Sequence, residues 1–302
     1  MTRYIILLFG LFTVFTIPLQ AQSWHLFYKS KWNGITIAHT HVDFSLAGYE
    51  GSQQDYDVKI ETKMVGLATM FSEGHAMLLA KGSVKDGVIS NNIYHSYGQW
   101  DGLSYDNYLA FDEQGAVKDH KISWPQKWLE EDKRAPVPKA LQTGPDPVSP
   151  LIIAILQDLK NTPSLMRGYD GKSVVDLSVS CAIKPNDKKK KRYKKSMRDF
   201  DVTLDNSNLC GIGFETIAGK IELSDKDKKK REKAKAKREK KLKKGKITED
   251  DILYPVQLWT AKMDGMNIPT KFFTASSNSF KVVLAEFERK NQPKETQSVT
   301  AR

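Results

Sequence analysis

Asp55-Tyr56-Asp57-Val58-Lys59-Ile60-Glu61-Thr62-Lys63-Met64 decides the fold class of this chain. Tyr56, Val58, Ile60, Thr62 and Met64 alternate with Asp55, Asp57, Lys59, Glu61 and Lys63, so a period of two puts every charge on one side. That is a half-buried antiparallel strand, one face on a core and the other in water. Upstream, residues 24–32 and 35–46 flank Asn33-Gly34, the dipeptide best suited to a type I′ turn because both positions need positive φ. Downstream, strand signals at 74–84, 88–97, 103–111 and 116–124 are joined by Lys85-Asp86-Gly87, Trp100-Asp101-Gly102 and Glu113-Gln114-Gly115. A parallel crossover needs a dozen or more residues, so strands joined this tightly run antiparallel, as a meander.

Residues 125–150 break the pattern with Pro136, Pro138, Pro145, Pro147 and Pro150. They lead into the apolar run Leu151-Ile152-Ile153-Ala154-Ile155-Leu156-Gln157-Asp158-Leu159, which reads as a helix with Ser149 as N-cap and Pro150 in its first turn. The run is too short for the roughly 20 residues a bilayer span requires, so it plugs or covers the sheet. Strands resume at 172–183, 199–204, 211–223, 253–263, 267–274 and 280–287, with Asp264-Gly265 marking another hairpin. The expected fold is mainly β: a curved antiparallel sheet or open barrel of about 11–13 strands in meander order, with one apolar helix packed on or across it. A single domain over 22–289 is expected, interrupted by basic inserts at 187–198 and 225–251 and followed by a polar, disordered tail at 290–302.

The start reads as a cleavable export signal over 1–21: Arg3, an apolar run at 4–17, Pro18, then Leu19-Gln20-Ala21 before a mature start at Gln22. The expected location is the periplasm, and the absence of any Asn-x-Ser/Thr sequon agrees with a bacterial envelope. In an oxidising compartment the two cysteines, Cys181 and Cys210, have one possible pairing as a disulfide. The alternative is two buried thiols on different strands.

The net charge is +11, but its position argues against a nucleic-acid partner. Residues 188–198 hold eight Lys/Arg and no acid, and 225–246 hold fourteen Lys/Arg against four acids, which leaves an acidic body. Export removes the chain from nucleic acid, and only Tyr193 interleaves the lysines as a stacking aromatic. In the second insert only Leu242 is strongly apolar, so a helix there has no stripe to dock and projects into solvent. Both inserts are expected outside the cooperative core. They read either as solvated loops or as a contact with anionic membrane or envelope polymer through Lys188, Lys189, Lys190, Lys191, Arg192, Lys228, Lys229, Lys230 and Arg231.

No Gly-x-Ser-x-Gly elbow, P-loop, dinucleotide fingerprint or His-Glu-x-x-His motif occurs, so catalysis is the less favoured reading and no cofactor is implied. His39 and His41 share one strand face but lack a third metal ligand at recognisable spacing. Asp146, Asp170 and Asp176 fit caps and turns better than paired catalytic carboxylates.

Gly144-Pro145-Asp146-Pro147 before the apolar helix, Tyr169-Asp170-Gly171-Lys172, Cys210, and Ile217-Ala218-Gly219 together resemble the exported bacterial family called domain of unknown function number 3108. Tyr28, Gly34 and the ending at 259–287 with Gly265 and Pro269 fit the same pattern, whereas the lysine-rich inserts depart from it. The family implies no activity. Its layout is similar in outline to periplasmic lipoprotein-carrier half-barrels, in which a curved sheet wraps apolar ligand beneath a helical lid. What this implies is a non-catalytic envelope protein binding an amphipathic or lipid-like molecule. The expected cavity lining is Ile152, Ile153, Ile155 and Leu156 on the helix, with Leu67 and Met70 from the apolar segment 65–71. The other reading is a structural adaptor held to an anionic surface by its inserts.

Overall fold

The computed structural model describes residues 22–48, 53–131, 133–156, 164–245, 247–275 and 279–290. The expected signal at 1–21 and the tail from residue 291 lie outside them, and Lys290 is the last residue of a strand. Thirteen strands form one sheet: β1 (Gln22–Trp32), β2 (Ile35–Ala47), β3 (Gln54–Met64), β4 (Gly74–Lys85), β5 (Val88–Trp100), β6 (Leu103–Phe111), β7 (Val117–Ser123), β8 (Ser164–Tyr169), β9 (Val174–Ser180), β10 (Ser207–Ala218), β11 (Val256–Met263), β12 (Met266–Thr274) and β13 (Phe280–Lys290). The helices are α1 (Gln126–Glu131), α2 (Ser149–Leu156), α3 (Asp187–Ser196), α4 (Asp225–Lys243) and the short α5 (Asp250–Leu253).

Every pairing is antiparallel; short connections dictate this for the tight hairpins, while β9–β10, β10–β11 and β1–β13 pair the same way across long ones. Strands neighbour their sequence neighbours from β1 to β7 and from β8 to β13, and β1 pairs with β13 at the middle of the ladder. Asn33-Gly34 and Asp264-Gly265 both adopt positive φ at each turn residue, as do Asp86-Gly87 and Asp101-Gly102. This is the backbone a two-residue hairpin demands. Register shifts, including those at Phe27/Tyr28, Lys81/Gly82 and Trp259/Thr260, bend the strands. The sheet curls until Leu109 and Phe111 from one flank share a core with Tyr169 and Val174 from the other.

β7 and β8 are the two edges and do not pair with each other. The segment at 142–145 spans the gap. Thr143 bridges to Ala116, Val117 N donates to the Gln142 carbonyl at 3.0 Å, and Tyr169 N donates to the Pro145 carbonyl at 3.0 Å. Asn107 on β6 donates from Nδ2 to the Asp170 carbonyl at 2.8 Å. The start of β7 and the end of β8 are thereby tied together across the gap.

Three expectations are corrected. The strand expected at 199–204 is irregular: Phe200, Val202 and Leu204 pack inward, but Phe200 N and Val202 N bond to the nearby carbonyls of Met197 and Phe200. β9 pairs directly with β10 across it, and an additional strand that the sequence did not signal, β8, lies beyond β9 at the sheet edge. The first basic insert docks instead of lying outside the core, because Tyr193 and Met197, four residues apart, are each 1 % exposed beneath α3. Helix α2 is capped by Asp146 and not by Ser149: Asp146 Oδ1 accepts from Val148 N at 2.7 Å and Ser149 N at 3.0 Å. The second insert matches expectation in part, since α4 has no buried residue whereas Ile247 and Asp251 beyond it are buried. Cys181 and Cys210 form a disulfide beside the Ser180–Gly211 rung, closing the loop that bears α3.

Candidate functional site

The strands β1, β2, β3, β12 and β13 turn one apolar face inward, and α2 lies against it. Between them is a partly open cavity of about 230 Å³. The sheet side is built from Leu26, Tyr28, Val42, Phe44, Val58 and Ile60, which alternate along their strands with residues of the outer face. The helix side is Val148, Leu151, Ile152 and Ile155. Polar groups here are few and satisfied: Tyr28 donates its hydroxyl to the Pro269 carbonyl at 2.8 Å, and burial pushes its phenol far above the ordinary range.

Of the lining residues expected from sequence, Ile152 and Ile155 are in place, and Leu156 packs on the same core. Ile153 points the other way, into a small cluster with Ala154 and Val179 under β9. Leu67 and Met70 do not reach the cavity. They sit on a 3₁₀ turn, Gly66–Met70, where they are 62 % and 76 % exposed. Helix α2 is apolar all round because it is buried on more than one side, so hydrophobicity alone does not show which face meets the cavity.

A buried polar network anchors the helix start. Asp146 is wholly buried, and its Oδ2 accepts from Asn91 Nδ2 on β5; the same amide nitrogen lies 3.1 Å from both Tyr56 Oη and Ser149 Oγ. Burial raises the Asp146 carboxyl to about 6, against the opposing pull of the Val148 and Ser149 amides and of the Ser149 and Asn91 side chains. Burial, and then the nearby Asp146 charge, push the Tyr56 and Tyr94 phenols far above their usual range. This arrangement positions α2 against the sheet. Asp170 has a similar task, accepting from Lys172 N and Ser173 N in the β8–β9 turn, and Asp176 forms a two-point ion pair with Arg167. All three acids are thus cap, turn and cross-strand groups.

His39 and His41 flank the Phe27 ring on the outer face. His25, which has no special spacing in the sequence, joins them: its Nε2 is 3.2 Å from His41 Nδ1 and its Nδ1 is 2.9 Å from Asp43 Oδ1. Among the described residues no group of three or more His, Cys, Asp or Glu is arranged to hold a metal ion. Of the nine basic residues expected to contact an anionic surface, Lys188, Lys189 and Arg192 border a groove on the outer face. Lys228, Lys229, Lys230 and Arg231 are exposed along α4. Sequence reading missed Asn91 and the groove lysines Lys31, Lys271 and Lys281; the available signal was Lys271 alone within the apolar run of β12.

Several residues behind the family resemblance converge in space: Tyr28 with Pro269, and Pro145 with Tyr169. No protein-family model matches the chain, and no curated protein does. Among solved structures, the chain is similar to a β-barrel-like protein of domain of unknown function DUF1849 from Brucella abortus, at 8 % identity and a TM-score of 0.36 over 90 % of this chain and all of that one.

Proposed function

We propose that this protein is a non-catalytic component of the bacterial cell envelope that binds the apolar part of an amphipathic molecule between α2 and the inner face of the sheet. The observation that supports this is the cavity itself: fifteen residues line it, and nearly all of them are apolar. Its size narrows the ligand. At about 230 Å³ it is smaller than the ~300–1,000 Å³ of pockets that swallow drug-sized molecules, so it suits a short acyl or branched apolar segment whose polar end stays outside. An adaptor role is the second reading, favoured by the nineteen-residue α4 with no buried side chain.

Paired substitutions in α2 test the first reading. Ile155→Ala, on the cavity side, enlarges existing space and should cost less than the ~2–5 kcal/mol typical of a filled core while changing affinity for cis-parinaric acid. Ile153→Ala, on the opposite side, should cost that full amount and leave affinity unchanged. Urea midpoints and probe fluorescence on the same samples report both quantities. Equal destabilisation by the two, with no probe bound by the parent protein, would overturn the carrier reading and leave the adaptor.

A further inference from the structure

The outer face of the same sheet carries a second groove of different chemistry, between α3 and the strands β1, β12 and β13. Strand register builds its floor in two rows. Lys31, Lys281 and Phe273 are neighbours in one, and Val283, Lys271 and Trp259 in the next. Lys31 and Lys281 are direct cross-strand partners, a like-charge pairing that by itself destabilises a sheet. From above, α3 adds Arg192 and Lys195, held down by the Tyr193 ring stacked on Trp259 at 4.2 Å.

The carboxylates in the groove are already engaged: Asp251 holds Lys189 at 2.7 Å and Asp199 holds Arg198 at 3.4 Å. Among the described residues no carboxylate pairs with Lys31, Arg192, Lys195, Lys271 or Lys281. Lys271 is the sharpest case. It is 7 % exposed, and its Nζ donates only to neutral oxygens, Ser196 Oγ at 2.9 Å and the Arg192 carbonyl at 3.2 Å. Burial, then Lys281 and Arg192, lower its amine to about 8. A buried cation without an anion is costly, and so is a cluster of them.

We propose that this groove is a binding site for a phosphate-bearing ligand, whose oxygens take the third Lys271 proton and the charges of Lys31, Arg192, Lys195 and Lys281. A phosphate suits the cluster better than a single carboxylate, since it carries more charge and more acceptor oxygens and matches the guanidinium fork. Next to the Lys31–Lys281 rung, the Trp32–Phe280 rung leaves both aromatics exposed, at 57 % and 40 %. The phosphate can therefore belong to a lipid headgroup or to a soluble ester. This site is on the opposite sheet face from the apolar cavity and does not depend on it.

The test uses the full chain. Titration calorimetry with inorganic phosphate, against sodium chloride at equal ionic strength, should show saturable binding and a raised thermal midpoint. Lys271→Met should weaken phosphate binding at least tenfold, and so should the pair Lys31→Gln with Lys281→Gln, whose surface positions spare the fold. Lys228→Gln, Lys229→Gln and Lys230→Gln together, on α4, should leave it unchanged. Co-sedimentation with phosphatidic acid vesicles, but not phosphatidylcholine vesicles, that is lost in the Lys31/Lys281 variant assigns the phosphate to a lipid. Phosphate binding without vesicle capture assigns it to a soluble ester. An equal response to chloride, equal weakening by the α4 variant, or no response to either phosphate source overturns the site.

Discussion

Asp146 is where one side chain has most leverage over the whole. Its carboxyl rises from 3.8 to about 6 because burial penalises the charge more than the surrounding donors stabilise it. A raised folded-state value means the favourable contribution is complete below pH 3.8 and is lost as pH climbs through about 6. At neutral pH the ionised group therefore costs about 3 kcal/mol relative to its protonated form. Asp146→Asn keeps an oxygen for Val148 N and Ser149 N, and Asn91 can reverse its amide to accept from the new nitrogen. The stability of the variant minus that of the parent should rise by up to about 3 kcal/mol between pH 4 and pH 7. Urea denaturation across that range measures it, and a flat difference curve would show that the carboxylate does not titrate there. Asp43, Asp176 and Asp251 are shifted downward, so their contributions, present above the ordinary carboxylate range and lost in acid, run against that of Asp146.

At the level of elements, the two basic inserts behave differently because of how their few apolar residues are spaced. Tyr193 and Met197 give α3 a narrow apolar edge at a four-residue spacing, while α4 offers Leu242 alone. Replacing residues 226–243 with a short Gly/Ser linker should accordingly leave the thermal midpoint within about 2 °C, because no packing is lost and a shorter loop is cheaper to close. A fall of 5 °C or more in differential scanning fluorimetry would mean that α4 docks. The hairpins were legible because their signals are local: a period of two and a dipeptide that tolerates positive φ. The irregular course of 199–204 and the presence of β8 were not. Phe200, Val202 and Leu204 alternate as a strand should, yet alternation reports which side a residue faces and says nothing of what its backbone bonds to. In β8 the buried positions fall late, at Gly168 and Tyr169, and its partner lies across a turn set by Asp170. Alternation at Tyr56, Val58 and Ile60 made the apolar face of β3 readable but not that Val58 and Ile60 line a cavity, and the outer groove needed the rungs that place Lys31 beside Lys281, some 250 residues apart in sequence.

For the molecule as a whole, the consequence lies in the central rung between β1 and β13. Ten residues of β1 pair with β13, so the first and last strands of the sheet form a seam between two meanders that are each made of sequential hairpins. The β1–β7 meander can assemble from short-range contacts, but the seam needs the whole chain. Until β13 arrives, one edge of β1 is an unguarded ladder, so a truncated or stalled chain should self-associate through that edge. The same geometry makes the connectivity circular in effect, with Ser23 opposite Lys290. Joining residues 22 and 290 through a few glycines and opening the chain within α4 should yield a circular permutant of the same sheet that closes the seam early. Its stopped-flow refolding should be faster than that of the parent, and an unchanged rate would show that closing the seam is not the rate-limiting event.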